Sequence, residues 1–359
     1  MRIFVTGATG FVGAYFVERA RAGGHDVIGL YRSDADPRRR ALLTHLRALG
    51  AEMRCGDITD RAALRRAAEG ADCVCHFAAA FRESGVTDDH FRSVNVAGTA
   101  NVLDAARRVG ARRFVHCSTA GVYGQRSSGL IDERAPARPW NIYEQTKLAA
   151  EEEVRRLTHM AGIEYVILRP VAVYGPRDER LLRLFRAVAK GRFPLFGRGE
   201  GRRHMIYVTD LAEAFLCACS APGAANHELI VAGPQAVPLR ELLELLAAIA
   251  QRKSFGPRLP LAPMLACAAI TEDVCRWLRV KPPLYRRRMD FYLNDAAFDS
   301  RLAQRVLGWT PKVDLREGLS RTLMAAQDAT PSAERAYTTG ALGSLVMHLL
   351  LSAHIVTLI

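Results

Sequence analysis

The sequence predicts an α/β fold, a doubly wound parallel sheet with a smaller C-terminal α/β lobe that binds the substrate. Three observations predict it. Short apolar runs alternate with helical segments through the first half of the chain, as in sheets covered on both faces. A glycine-rich turn, Thr6-Gly-Ala-Thr-Gly-Phe-Val-Gly13, joins the first run to the first helix. Beyond Gly175 the pattern loosens into helices joined by loops containing Pro and Gly. That places a second lobe on the C-terminal side of the sheet, where open α/β sheets bind ligands.

The first strand is expected over 2–5 and the first helix over 11–21. Between them, Gly7 allows a tight turn, Gly10 close approach of a pyrophosphate, and Gly13 close helix packing. A phosphate there would meet the free N–H groups and the dipole of a helix N-terminus. The spacing is Gly-x-x-Gly-x-x-Gly, not the commoner Gly-x-Gly-x-x-Gly, but its place between a strand and a helix marks a dinucleotide site of Rossmann type. A second strand over 26–30 and a helix over 38–49 follow, then strands over 52–55, 73–77, 113–117 and 164–168. Later helices are expected over 179–190, 210–220, 239–252 and 315–327. The domain reading is 1–174 for the nucleotide-binding part and 175–327 for the substrate lobe, interleaved with it. A polar linker, 328–337, leads to a tail, 338–359.

The second strand ends in Tyr31-Arg32. An acid there would hold the ribose hydroxyl of NAD, whereas an arginine accommodates the extra phosphate of NADP. Arg32 therefore favours NADP over NAD.

Composition excludes other classes. The 359 residues carry a formal charge of +13, yet only five of the 50 basic residues are Lys (147, 190, 253, 281 and 312) and the arginines are scattered. Without interleaved aromatics or a nucleic-acid motif, this is a compositional bias, and no nucleic-acid partner is expected. The eight cysteines include the pairs Cys73/Cys75 and Cys217/Cys219 but no Cys-x-x-Cys. The expectation is buried free thiols, no metal and a reducing, cytoplasmic setting, and no signal peptide is read at the start. The tail holds no charged residue over 22 positions, about the length a bilayer core needs from a helix. It is diluted by two His and two Gly, so membrane association competes with a helix docked on the domain or in a homodimer interface.

Chemistry centres on Tyr143 and Lys147 in Asn141-Ile-Tyr-Glu-Gln-Thr-Lys147. Four residues apart, they share one helix face. A free tyrosine titrates near pH 10, too high for an acid/base at neutrality. A fixed cation about 4 Å away is worth roughly 4 kcal/mol at an effective dielectric of about 20. Lowering a pKa by about three units requires a similar amount, at about 1.36 kcal/mol per unit.

Further motifs follow in order. They are Gly56-Asp57, His76-Phe-Ala-Ala-Ala80, Asn95-Val-Ala-Gly-Thr99, Ser118-Thr-Ala-Gly-Val-Tyr-Gly124, Leu168-Arg-Pro-Val-Ala-Val-Tyr-Gly-Pro176, Ile206-Tyr-Val-Thr-Asp-Leu211 and Leu307-Gly-Trp-Thr-Pro311. With the glycine turn and the Tyr-Lys pair, they make 1–327 resemble an extended short-chain dehydrogenase/reductase of the NAD-dependent epimerase/dehydratase superfamily.

The resemblance implies catalytic roles for Thr119, which would hydrogen-bond the substrate oxygen, Tyr143, which would exchange the proton, and Lys147. It implies cofactor contacts at Gly7, Thr9, Gly10, Phe11, Val12 and Gly13, at Arg32, Asp57 and Ile58, and at Ala78, Ala79 and Ala80. Asn95, Ser118, Tyr143, Lys147 and Pro170 complete that set. Phe81, Thr119 and Arg203 would meet the substrate.

Where related 4,6-dehydratases carry Asp-Glu after the threonine, this chain has Ala120 and Gly121, which points away from water elimination. Hydride and proton exchange at a secondary alcohol or ketone remains. The first reading is a sugar-nucleotide epimerase or reductase, resting on Arg203 and on Arg286, Arg287 and Arg288. The alternative is a 3-beta-hydroxysteroid, sterol or dihydroflavonol-type enzyme acting on a hydrophobic alcohol. A non-catalytic NAD(P)-binding regulator is a third reading, disfavoured because the Tyr-Lys pair is intact.

Overall fold

The structure, a computed structural model, describes residues 1–81, 86–124, 129–277 and 292–328. The linker from 329 onward, the tail 338–359 and Arg286 to Arg288 lie outside the described residues.

The first half alternates strands and helices: β1 Arg2–Thr6, α1 Phe11–Ala22, β2 Asp26–Tyr31, α2 Pro37–Ala48, β3 Glu52–Cys55, α3 Arg61–Ala67 and β4 Cys73–His76. It continues through α4 Asp88–Arg92, α5 Gly98–Arg108, β5 Arg113–Cys117, β6 Leu130–Ile131, α6 Ile142–Ala161 and β7 Glu164–Pro170. Then come β8 Ala172–Tyr174, α7 Glu179–Ala189, β9 Leu195–Phe196, β10 Arg202–Tyr207, α8 Val208–Ser220, β11 His227–Val231, β12 Ala236–Pro238 and α9 Leu239–Ile249. The described part closes with β13 Arg258–Leu259, α10 Leu261–Trp277, β14 Ala297–Phe298, α11 Arg301–Leu307 and α12 Leu315–Asp328.

Seven parallel strands form the main sheet in the order β11-β7-β5-β4-β1-β2-β3. Strand residues alternate between two apolar cores. Ile3, Val5, Cys73, Cys75 and Val115 face α1 and α8, while Phe4, Val74 and Phe114 face α3, α5 and α6. Burial on both faces explains the near-continuous apolar runs. The strand order reverses between β1 and β4, which opens the crevice where such sheets bind ligands.

The second lobe gathers around Tyr174, Phe185, Leu195, Leu243 and their neighbours. Its three-stranded sheet runs β12-β10-β8. Between visits to this lobe the chain returns to the main sheet: α8 packs on α1, and β11 pairs with β7. The sequence reading missed β11. Its five residues begin His227-Glu228, and only the last three are buried, too short an apolar run to stand out.

Asp210 ties two of the motifs together. Its carboxylate accepts hydrogen bonds from the backbone N–H groups of Lys312 and Val313 at 3.0 and 2.9 Å, directly after Leu307-Gly-Trp-Thr-Pro311. The expectation of uniformly buried thiols needs correcting: Cys73, Cys75 and Cys219 are buried, but Cys55 and Cys267 are exposed. Cys55 ends the edge strand β3 between Arg54 and Gly56, with no apolar run to bury it. Among the described residues no helix is long and apolar enough to cross a membrane.

Candidate active site

The crevice between β1 and β4 is shaped first by glycine. Gly7 has φ +68°, and a Cβ there would lie 2.7 Å from the Ala78 nitrogen. A Cβ on Gly13 would lie 2.2 Å from the Gly7 carbonyl oxygen. Both positions exclude any side chain without moving backbone. Gly10 caps α1 without a side-chain hydrogen bond, and the first turn holds no acidic residue. The N–H groups of Phe11, Val12 and Gly13 therefore begin a helix with no carboxylate competing for them, the condition for binding an anion. Thr9 and Phe11, half-buried, flank this turn.

The wall opposite is held by a buried polar chain. Thr6 Oγ1 lies 2.6 Å from His76 Nδ1, and His76 Nε2 lies 2.9 Å from Thr99 Oγ1. Asn95 accepts from the Ala80 N–H at 2.7 Å and donates to the Ala80 carbonyl and to Thr146. With 1 % of its surface exposed, Asn95 shapes the Ala78–Ala79–Ala80 wall from behind and ties it to α6. After β3, Asp57 accepts from the Thr59 N–H and hydroxyl at 2.8 Å, and Ile58 is buried against Gly98. Arg32 is exposed at the end of β2. Beside it Arg47, from α2, lies over the Tyr31 ring with its guanidinium carbon 5.9 Å from the centroid. Sequence reasoning missed Arg47, because only the packing of α2 brings it there.

Helix α6 carries the reactive face. Asn141 caps it by accepting from the Glu144 N–H at 3.0 Å, and the Glu144 carboxylate accepts from the Trp140 N–H at 2.7 Å. Reciprocal bonds of this kind fix where a helix begins. Tyr143, Lys147 and Glu151 then follow at four-residue intervals along one face. The Tyr143 ring meets Phe81 edge-on, with centroids 4.7 Å apart. Lys147 is 2 % exposed and its Nζ lies 3.2 Å from His116 Nε2. Burial pushes the Lys147 ammonium down to about 8. Below that pH it keeps its charge. Burial, then the Lys147 charge, holds His116 neutral, far below the usual histidine range. A neutral His116 accepts a hydrogen bond from the Lys147 ammonium through Nε2.

Thr119, second in the Ser118–Gly124 motif, has extended backbone, and its hydroxyl oxygen accepts from the Gly121 N–H at 3.1 Å. The hydroxyl hydrogen is thereby turned away from Gly121. Ser118, 2 % exposed, donates instead to Glu151 at 2.5 Å. Glu151 is fully buried and pairs with Arg169, which also bonds Glu228 and the Tyr123 hydroxyl. This network under the site was not foreseen, although Glu151 stands one helical turn beyond Lys147 and Arg169 lies inside the Leu168-Arg-Pro motif. Pro170, buried, ends β7 beside it.

Ala120 is 3 % exposed, and a Cβ on Gly121 would come 3.1 Å from Glu144 Cγ. Neither residue offers the acid or base of a dehydratase, and a side chain at Gly121 would first have to displace that of Glu144. Arg203 lies on β10, where its Nη1 donates to the backbone carbonyls of Arg202 and Asn294. His204 is consumed structurally, accepting from the Phe298 N–H at 3.2 Å and donating to the Gly233 carbonyl at 3.0 Å.

A family model described as NAD dependent epimerase/dehydratase family matches residues 3–233, more than half of the chain. The chain belongs to that family. A 2-alkyl-3-oxoalkanoate reductase of Stenotrophomonas maltophilia is 30% identical over 89% of this chain and 98% of its own length. A UDP-glucose 4-epimerase of Mycolicibacterium smegmatis is 29% identical over 90% and 97%. In structure, a UDP-glucuronic acid 4-epimerase from Bacillus cereus, solved with NAD, superposes with a TM-score of 0.73 at 21% identity, covering 91% of this chain and 99% of that one.

In this epimerase/dehydratase family the dinucleotide gives or takes the hydride. The residues present fit it. Gly7 and Gly13 leave a cradle that any Cβ would fill, and the uncapped α1 N-terminus suits a pyrophosphate. Tyr143 and Thr119 carry the hydroxyls, and Lys147 supplies a positive charge that neutral His116 leaves undiminished.

Proposed function

We propose that the protein is an NADPH-preferring ketoreductase that interconverts a ketone and a secondary alcohol on an apolar substrate. The observation that carries this is the aromatic mouth. Phe81, 41 % exposed, packs on Tyr143, and Trp140, 57 % exposed, stands just before the cap of the same helix. An apolar entrance around the proton donor suits a hydrocarbon-rich ketone and expels water from its carbonyl.

The S. maltophilia relative, a reductase of 2-alkyl-3-oxoalkanoates by name, supports the reading. So does the anchoring of Arg203 Nη1 on backbone carbonyls, where a nucleotide-sugar enzyme would direct an arginine fork at a diphosphate. Arg32 and Arg47 at the end of β2 support NADPH. In the reductive direction NADPH would supply the hydride, and the Thr119 hydroxyl would donate to the ketone oxygen. Tyr143 passes its proton to that oxygen and regains one from solvent, while the Lys147 ammonium balances the phenolate.

The M. smegmatis epimerase supports the sugar-nucleotide reading. A single assay separates the two. Purified protein is given NADPH with 2-alkyl-3-oxoalkanoates and cyclic aliphatic ketones, and separately UDP-glucose and UDP-glucuronic acid. NADPH oxidation by the ketones, with KM raised about tenfold or more in Phe81→Ala, is the expected result. Interconversion of the UDP-sugars on co-purified NAD, with no ketone turnover, would overturn it.

A further inference from the structure

Away from the crevice, three cysteines from two distant stretches of chain converge. Cys73 and Cys75 alternate along β4, so both side chains reach the same face of the sheet. That face packs on α8, which brings in Cys219. The three sulfurs lie within 4.8 Å of one another, with Cys75 Sγ and Cys219 Sγ 3.2 Å apart. Their residues are 2 %, 0 % and 0 % exposed. A cavity of about 300 Å³ reaches Cys73 and Cys219 from the far end of the sheet, lined also by Met1, Asp72, Arg112 and Arg113.

We propose that Cys73, Cys75 and Cys219 form a binding site for Zn²⁺ in which the cavity supplies a solvent molecule as fourth ligand. Zinc–thiolate bonds of about 2.3 Å in a tetrahedron put sulfurs roughly 3.8 Å apart, inside the observed spread. Binding breaks three S–H bonds, forms three Zn–S bonds and releases three protons to solvent. No electron is transferred. The product carries a net charge of −1. Arg113, only 3 % exposed, lies beside it, held by the Ala218 and Ala221 carbonyls and by Glu164. With Arg112 it offsets that charge. Soft sulfur donors select zinc over the hard cations Mg²⁺ and Ca²⁺. The ion would staple α8 to β4, the strand whose last residue, His76, supports the cofactor crevice.

The test uses the full chain without an affinity tag, stripped with chelator under reducing conditions and titrated with Zn²⁺, then separately with Co²⁺. One equivalent of zinc retained after dialysis is expected, with intense thiolate-to-cobalt charge-transfer absorption in the Co²⁺ form. Zn²⁺ should also raise the thermal midpoint. Cys75→Ala and Cys219→Ala should lose all three signals while still binding NADPH, which shows that they fold. Cys117→Ala should keep them. Retention below a tenth of an equivalent in the wild type would overturn the proposal. So would equal retention in Cys219→Ala, or a Cys75–Cys219 disulfide in protein purified without reductant.

Discussion

Lys147 and His116, both buried, meet at 3.2 Å between Nζ and Nε2. The contact gives the buried ammonium, one helical turn from Tyr143, a hydrogen-bond acceptor. Burial lowers Lys147 to about 8, so its charge is present at neutrality and is lost as pH rises through that value. His116→Leu removes the acceptor and leaves the ammonium with less compensation, so the alkaline limb of kcat/KM should move to lower pH. At neutral pH kcat should fall about tenfold, on the order of 1.4 kcal/mol. His116→Gln, which can still accept, should recover part of both effects. A lower rate with an unmoved limb would mean that His116 only packs.

The same burial makes the fold acid-sensitive. Desolvation holds His76 near 3 and His116 well below the normal value. An unfolded histidine titrates near 6.5. Above that pH neither state binds the proton and the stability is fully present. As pH falls from about 6.5 toward 3, the unfolded chain takes up protons that the folded chain refuses. Stability should then drop by about 1.4 kcal/mol per pH unit for each histidine. Urea unfolding of wild type and His116→Gln at about pH 7 and about pH 5 measures it. The variant should lose less on acidification, and equal losses would exclude His116 as a source.

Much of this was legible beforehand. The Gly7–Gly13 turn, the Tyr143/Lys147 spacing and the pattern of strands β1 to β5 and β7 are local signals, written in consecutive residues or in one helical period. What escaped depends on packing between distant stretches. His116 looks like one more residue of a short apolar strand until α6 lays Lys147 across it. Arg47 reads as one of many arginines, and β11 carries too few apolar residues to announce itself. Cys219 joins Cys73 and Cys75 only because α8 packs on β4. Asn95 was legible as part of a motif, but its position behind Ala80 was not.

Glu151 and Arg169 form a buried pair that positions Ser118, and through it the strand end carrying Thr119. Glu151→Gln leaves Arg169 its bond to Glu228, so the loss should lie below the about 3–5 kcal/mol of a fully stranded buried charge. In guanidinium unfolding the variant should be destabilised by about 2 kcal/mol. Glu151→Leu combined with Arg169→Met should recover more than half of the loss. A single variant within about 1 kcal/mol of wild type would show that the network carries little.

Arg32 and Arg47 should select the dinucleotide. Arg32→Ala and Arg47→Ala are each expected to weaken NADPH binding about tenfold in fluorescence titration and to leave NADH within about twofold. A parallel loss for both dinucleotides would assign these arginines to the fold and not to the phosphate.

Tyr143→Phe keeps the ring that packs on Phe81 and deletes only the hydroxyl. NADPH titration and turnover of the reactive ketone, measured on the same preparation, should show binding within about twofold of wild type and kcat reduced by about a thousandfold, in the range general acid–base catalysis contributes. Turnover within about tenfold of wild type would contradict the assignment of Tyr143 as the proton donor.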